Sequence, residues 1–161
     1  MPEVSTQTRD RPGVIAPPPL IYVGAIVLGA ILEWLLPIRL AVLTTMTSRG
    51  FGTVLVIASG LLSIWGLRVM QQAGTQVDPN KPTSAIVKSG PFRFSRNPLY
   101  LALTIFQLGI GFVFGWPWVW VTLVFTLWLM KYGVIDREER YLEKKFGQEY
   151  IDYKSRVRRW I

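Results

Sequence analysis

"NPLYLALTIFQLGIGFVFGWPWVWVTLVFTLWLM", Asn97 to Met130, contains no charged side chain. An apolar helix needs about 20 residues to cross a hydrocarbon core, and this stretch is too long for one crossing. Gly115-Trp116-Pro117 divides it into two runs, Leu99–Gly115 and Trp116–Met130, which predicts a tight helical hairpin. Working outward toward the N-terminus, two further apolar runs appear at Leu20–Leu36 and Phe51–Met70. The expected fold class is therefore all-α: a polytopic membrane protein with spans at about 19–37, 50–72, 98–115 and 117–133. A disordered tail is expected over residues 1–17, ahead of one membrane domain over 18–161.

Composition agrees with that reading. Half of the 161 residues are hydrophobic and only 17% are charged, yet the formal net charge is +8, so the charges must crowd into short stretches. Lys81, Lys88, Arg93 and Arg96 fall between the second and third runs, and nine more basic residues follow from Lys131 onward. The link between the third and fourth runs has none. Both basic regions are expected to face the cytoplasm, which gives a multi-pass protein of a bacterial inner membrane with both termini cytoplasmic. Arg39 and Arg49, in the outer loop, are the contrary signal. Met1–Pro19 is polar and proline-rich, so no cleavable signal peptide is expected.

The sequence contains neither cysteine nor histidine. That excludes disulfides, Cys/His metal sites, thiol nucleophiles and an imidazole base, so no metal site is expected. Chemistry is left to carboxylates, amides, arginine, tyrosine and the backbone. The basic surplus beside membrane helices suits anionic lipid headgroups, and no nucleic-acid module can be placed on these segments.

The loop from Gly74 to Arg96 is punctuated by Asp78-Pro79, Lys81-Pro82 and Gly90-Pro91, so no helix can run through it. Its apolar Ala85-Ile86-Val87 either pins the loop to the interface or lines a pocket. Asn97-Pro98 is a helix start, with an amide side chain able to cap and proline at the first helical position. The free amides of such an end can hold a carboxylate or phosphate, although most capped starts are only starts. Beyond the fourth span, "DREERYLEKKF" has helical spacing, predicting a cytosolic helix at about 134–146. Gly147 then breaks the pattern, and "QEYIDYKSRVRRWI" predicts an aromatic and basic helix at about 148–160, suited to a headgroup surface. Glu33, near the outer end of the first span, is either solvated at the interface or a buried functional acid.

Glu138-Glu139 lies on the same side of the membrane as Asn97. An acid beside a helix N-terminus makes a site for a zwitterion such as an amino acid, and Phe92, Phe94 and Tyr100 add faces for a base or a cationic sulfur.

"SAIVKSGPFRFSRNPLYLA" followed by "EERYLEKKFGQEYIDYKSRV" resembles the isoprenylcysteine carboxyl methyltransferase family and its wider relatives among phospholipid methyltransferases. The resemblance covers roughly Thr75 to Val157. It implies an integral membrane enzyme that uses S-adenosyl-L-methionine at the cytosolic face. By position, it implies that Ser84, Ala85, Ile86 and Val87 form part of an adenosine pocket, with Phe92 behind and Gln76 alongside. Asn97, Pro98, Leu99 and Tyr100 would hold the methionine part, and Glu138 would face its amino group. Asn97 stands where members often have histidine, and Val134 stands where the prenylcysteine enzymes have an arginine for the substrate carboxylate.

The expected reaction is methyl transfer to a carboxylate or amine of an amphipathic, lipid-like acceptor, with Glu139 or Tyr100 as proton acceptor if the acceptor is an amine. The alternatives are an NADPH-dependent membrane reductase of the sterol and steroid type, or a non-enzymatic four-helix scaffold that binds lipid.

Overall fold

A computed structural model describes residues 12–75 and 83–161. Six α-helices account for most of it: α1 Pro18–Leu35, α2 Met46–Gln72, α3 Pro98–Phe114, α4 Pro117–Met130, α5 Asp136–Phe146 and α6 Gln148–Arg156. Short 3-10 turns lie at Ala41–Thr44 and Gly90–Arg93. Helix α1, helix α2 and the continuous rod Pro117–Phe146 are each long and apolar enough to cross a membrane, and α3 is a shorter apolar helix. The all-helical, polytopic membrane fold read from the sequence is the fold observed.

The order across the bundle is α2, α3, α4, α1, with the predicted hairpin at its centre. Gly115 makes the turn in a left-handed conformation, φ 66°, which favours glycine, and Pro117 opens α4. Lipid supplies no hydrophobic drive for helices to associate, so close backbone approach and interior hydrogen bonds must hold them together. Gly52 and Gly109 provide the approach between α2 and α3: a Cβ on Gly52 would stand 2.8 Å from the Gly109 carbonyl oxygen. Gln107, fully buried in α3, donates to the Val119 carbonyl at 3.1 Å and to Thr122 Oγ1 at 3.3 Å in α4. The large apolar side chains of α1 and α2, among them Leu20, Val27, Val54 and Leu61, face outward.

Four boundaries differ from the sequence reading, each for a local reason. Helix α2 starts about one turn early because Thr45 Oγ1 accepts the Ser48 N–H at 3.2 Å and caps it there. The fourth span does not break before the charged helix. It runs on through a π turn at Lys131–Ile135 into α5. Helix α6 ends at Arg156, and Val157 turns extended, so residues 157–161 form a strap. Residues 12–17, assigned to the tail, are seated on the bundle: the Ile15 N–H donates to the Gly133 carbonyl in the π turn at 3.2 Å, and Arg137 Nη1 donates to the Gly13 carbonyl at 2.8 Å.

Glu33 is buried, and its Oε1 accepts the Ile38 N–H at 3.2 Å. It lies near the α4 start, where Trp118 Nε1 donates to the Leu36 carbonyl, and so at the opposite end of the bundle from the charged helices.

Candidate functional site

At the basic end of the bundle, the start of α3, the first turns of α5, the loop 83–92 and helix α6 enclose a cleft of about 150 Å³. Its centre is a bond between two helices far apart in sequence: Tyr100 Oη donates to Glu138 Oε1 at 2.6 Å. Glu138 lies past the apolar segment of the fourth span. Burial, first, and the neighbouring charge of Glu139 push its carboxyl up to about 7, against the pull of the Tyr100 hydrogen bond.

Glu139, one residue on, is differently placed. Arg159 holds it in a bidentate pair, Nε to Oε1 at 3.0 Å and Nη2 to Oε2 at 2.8 Å. Arg96 Nη1 lies 3.3 Å from Oε1 and Lys154 Nζ 3.5 Å from Oε2. The Glu139 hydrogen bond, more than any other influence, raises the Arg159 guanidinium above its usual range. A carboxylate held by three cations organises its surroundings.

The C-terminal strap closes this corner. The Arg96 N–H donates to the Arg158 carbonyl at 3.0 Å, and the Arg159 carbonyl accepts both Ser95 Oγ at 3.2 Å and Asn97 Nδ2 at 3.1 Å. Asn97 therefore does not cap α3 with its side chain, as its position predicts; the amide is spent on the strap, and only its carbonyl enters the helix by accepting the Leu101 N–H.

Of the residues anticipated from the sequence, Ala85, Ile86, Val87, Phe92, Asn97, Pro98, Leu99, Tyr100, Glu138 and Glu139 all line the cleft. Ser84 does not, because its hydroxyl turns outward to the Gly74 carbonyl at 2.9 Å. Phe94 is 67% exposed and also stays outside. Gln76 lies outside the described residues. Val134 is fully buried with Tyr22, Leu123 and Met130, so the wall contains no cation there. Arg137 turns to Gly13, and Lys131 turns to Asp136 and the Tyr132 ring, so neither fills that role.

Sequence reasoning missed Arg96, Tyr150 and Tyr153 on the cleft wall, and Arg159 behind Glu139. The tyrosines carried a signal, being three residues apart on one helix face, but that face was assigned to lipid headgroups. Both are buried, and Tyr153 Oη donates to the Phe92 carbonyl at 2.8 Å, tying α6 to the apolar wall. Burial pushes the Tyr153 phenol up to about 12, so it remains a donor there.

Two relatives match part of the chain. The chain is 35% identical over 72 residues to the protein-S-isoprenylcysteine O-methyltransferase of Saccharomyces cerevisiae, a match that covers 45% of this chain and 30% of the yeast protein. It is 38% identical over 63 residues to an uncharacterized protein of Haemophilus influenzae, covering 39% of this chain and all of that protein. The chain thus matches less than a third of the length of the yeast relative. No solved structure matches it significantly. The phospholipid methyltransferase family model matches residues 47–149, from the start of α2 through α5 into α6, and on that match the chain belongs to the phospholipid methyltransferase family.

Proposed function

We propose that this protein transfers a methyl group from S-adenosylmethionine to a carboxylate or amine of a lipid-like acceptor at the cytosolic face of the membrane. One observation carries the reading: the start of α3 and the carboxyl of Glu138 converge on one cleft through the Tyr100 bond. The donor set suits the cofactor. Val87 and Phe92 offer an apolar wall for a purine, and Glu138 a carboxylate for an ammonium group. The basic residues of the loop and C-terminal helices support a cytosolic orientation.

When bound, the cofactor supplies an activated methyl group, so the residues need only bind, orient and exclude water. Glu138 fixes the amino end, while Tyr150 and Tyr153 close the cleft from the side of α6. A carboxylate acceptor needs no proton removed. For an amine, Tyr100 Oη accepts the proton as it passes its own to Glu138, across a bond of 2.6 Å to a carboxyl that titrates near neutrality. Of the two proton acceptors anticipated, we assign the role to Tyr100 and give Glu139 a positioning role.

The test is saturable binding of tritium-labelled S-adenosylmethionine to detergent-purified protein, followed by mass spectrometry of lipid extracts from cells with and without the gene. Binding, together with lipid species differing by one methyl group, supports the proposal. A thermal shift with NADPH and none with S-adenosylmethionine overturns it.

A further inference from the structure

We propose that the groove between the Gly90–Arg93 turn and α6 binds the headgroup of a phospholipid that carries both a phosphate and an ammonium group. The site lies outside the cleft, and its occupant is a bound neighbour of the protein, distinct from the methyl acceptor.

Lys88, Arg93, Glu149, Asp152, Tyr153 and Arg156 line this groove of about 490 Å³. Among the described residues Tyr153 alone is shared with the cleft. It is buried and tied through its hydroxyl to the Phe92 carbonyl at 2.8 Å, so its ring is a fixed partition between the two.

The charges in the groove are not all spent within the protein. Lys88 and Glu149 satisfy each other at 2.7 Å. Arg93 and Arg156 are exposed, and among the described residues neither has an ion-pair or hydrogen-bond partner for its side chain. The Asp152 carboxylate accepts the Gln148 amide at 2.8 Å and pairs with no cation, although Arg156 stands four residues on along the same helix face. Two guanidinium forks and one carboxylate, all without an ionic partner, complement a phosphate with an ammonium group beside it. A headgroup without the ammonium leaves Asp152 facing the phosphate uncompensated.

The surroundings place the groove where acyl chains meet headgroups. The Gly90–Arg93 turn is seated on the basic end of α2, so closely that a Cβ on Gly90 would lie 3.2 Å from Trp65 Nε1. Trp65 and Phe94, the residue after Arg93, are both exposed. Exposed aromatic rings beside arginines at the end of a membrane helix mark the interfacial level, with the rings toward the acyl chains and the guanidinium groups among phosphates. A lipid headgroup held there bridges the turn, through Arg93, to α6, through Asp152 and Arg156, and stabilises the two elements that Tyr153 already joins.

The test is thermal unfolding of the full chain, purified in detergent and stripped of lipid, followed by tryptophan fluorescence. The probes are dihexanoylphosphatidylethanolamine, dihexanoylphosphatidylglycerol and inorganic phosphate. The ethanolamine lipid is expected to raise Tm saturably, the glycerol lipid to bind about tenfold more weakly, and inorganic phosphate to leave Tm unchanged. Arg93→Ser combined with Arg156→Ser should abolish the ethanolamine response. Asp152→Asn should weaken the ethanolamine lipid about tenfold, to the level of the glycerol lipid.

All three positions are exposed, so the variants are expected to fold and to bind S-adenosylhomocysteine as wild type does. Asp152→Asn carries the reading if the double variant does not fold. An ethanolamine response that survives the double change puts the lipid elsewhere, the cleft included, and overturns the groove. A response to inorganic phosphate equal to that of the lipid makes this a free-anion site and overturns the proposal, as does equal affinity of wild type for the two lipids. If the lipid responses are as expected but S-adenosylhomocysteine binds no form of the protein, the groove stands and the methyl-donor reading falls.

Discussion

Glu138→Gln should move stability and ligand binding in opposite directions. The carboxyl sits in a cleft that holds it at about 7 instead of 4.5, with burial as the main cause. A group whose folded-state value is raised contributes stability that is fully present below its unfolded value and is lost as pH rises through the folded one. Ionising Glu138 in the folded state therefore costs up to about 3 kcal/mol, reached near pH 8, and about 1–2 kcal/mol after allowing for its remaining exposure to the cleft. Glutamine keeps the size and an oxygen for the Tyr100 hydroxyl but never acquires the charge. Ligand-free Glu138→Gln is expected to melt a few degrees above wild type at pH 8 and level with it at pH 5. The same change removes a charge-assisted bond to an ammonium group and should weaken S-adenosylhomocysteine about tenfold. Intrinsic tryptophan fluorescence melts at both pH values and calorimetry at pH 8 provide the two readings. A variant that melts lower than wild type at pH 8, yet binds S-adenosylhomocysteine with unaltered affinity, would refute both the electrostatic origin of the strain and the role of the carboxyl.

The remaining predictions concern the scaffold. Arg159→Met leaves Glu139 buried without its bidentate partner and should destabilise the protein by about 2–3 kcal/mol, less than a fully buried pair because Arg159 is 26% exposed. The double variant with Glu139→Gln should lose less than the two single changes together, and additive losses in a denaturant series would contradict the coupling. Gly52→Ala puts a Cβ 2.7 Å from the Val113 amide nitrogen and should cost about 1–3 kcal/mol by wedging α2 from α3. Gly60→Ala, also inside α2 but with nothing within 4 Å, is the control and should unfold no lower than wild type, with a gain of up to about 1 kcal/mol from helix propensity.

Hydropathy and the positions of lysine and arginine are properties of the chain itself, which is why the hairpin, the spans and the charged C-terminal helices could be read before any contact was known. Lining residues such as Val87, Phe92 and Tyr100 came from the resemblance of two sequence blocks to a known family. What escaped depends on partners distant in sequence. Asn97 has every local qualification for a cap, but the Arg159 carbonyl, 62 residues on, takes its amide, and the local rule yields to that contact. The spacing of Tyr150 and Tyr153 reveals one face of a helix and says nothing of what that face meets. Lipid headgroups and a cleft wall ask for the same aromatic stripe, and only the Phe92 carbonyl at 2.8 Å from the Tyr153 hydroxyl decides between them.

The π turn at Lys131–Ile135 shows how these distant contacts converge on function. A wide turn shifts the phase of every residue after it by about 100° relative to an unbroken α-helix. That phase decides whether Glu138 faces Tyr100 or the lipid. Gly133 lies within the turn, Ile15 packs against it from the N-terminal segment, and the Ile15 N–H takes the Gly133 carbonyl. Arg159 of the C-terminal strap holds Glu139, the residue after Glu138. The segment 12–17 and the C-terminal strap thus both hold this rod, one at the π turn and one at the acid next to Glu138. A carboxyl held near neutrality in a partly buried cleft would relax toward solvent if its helix could rotate, and these two contacts, with the Tyr100 bond itself, oppose that rotation.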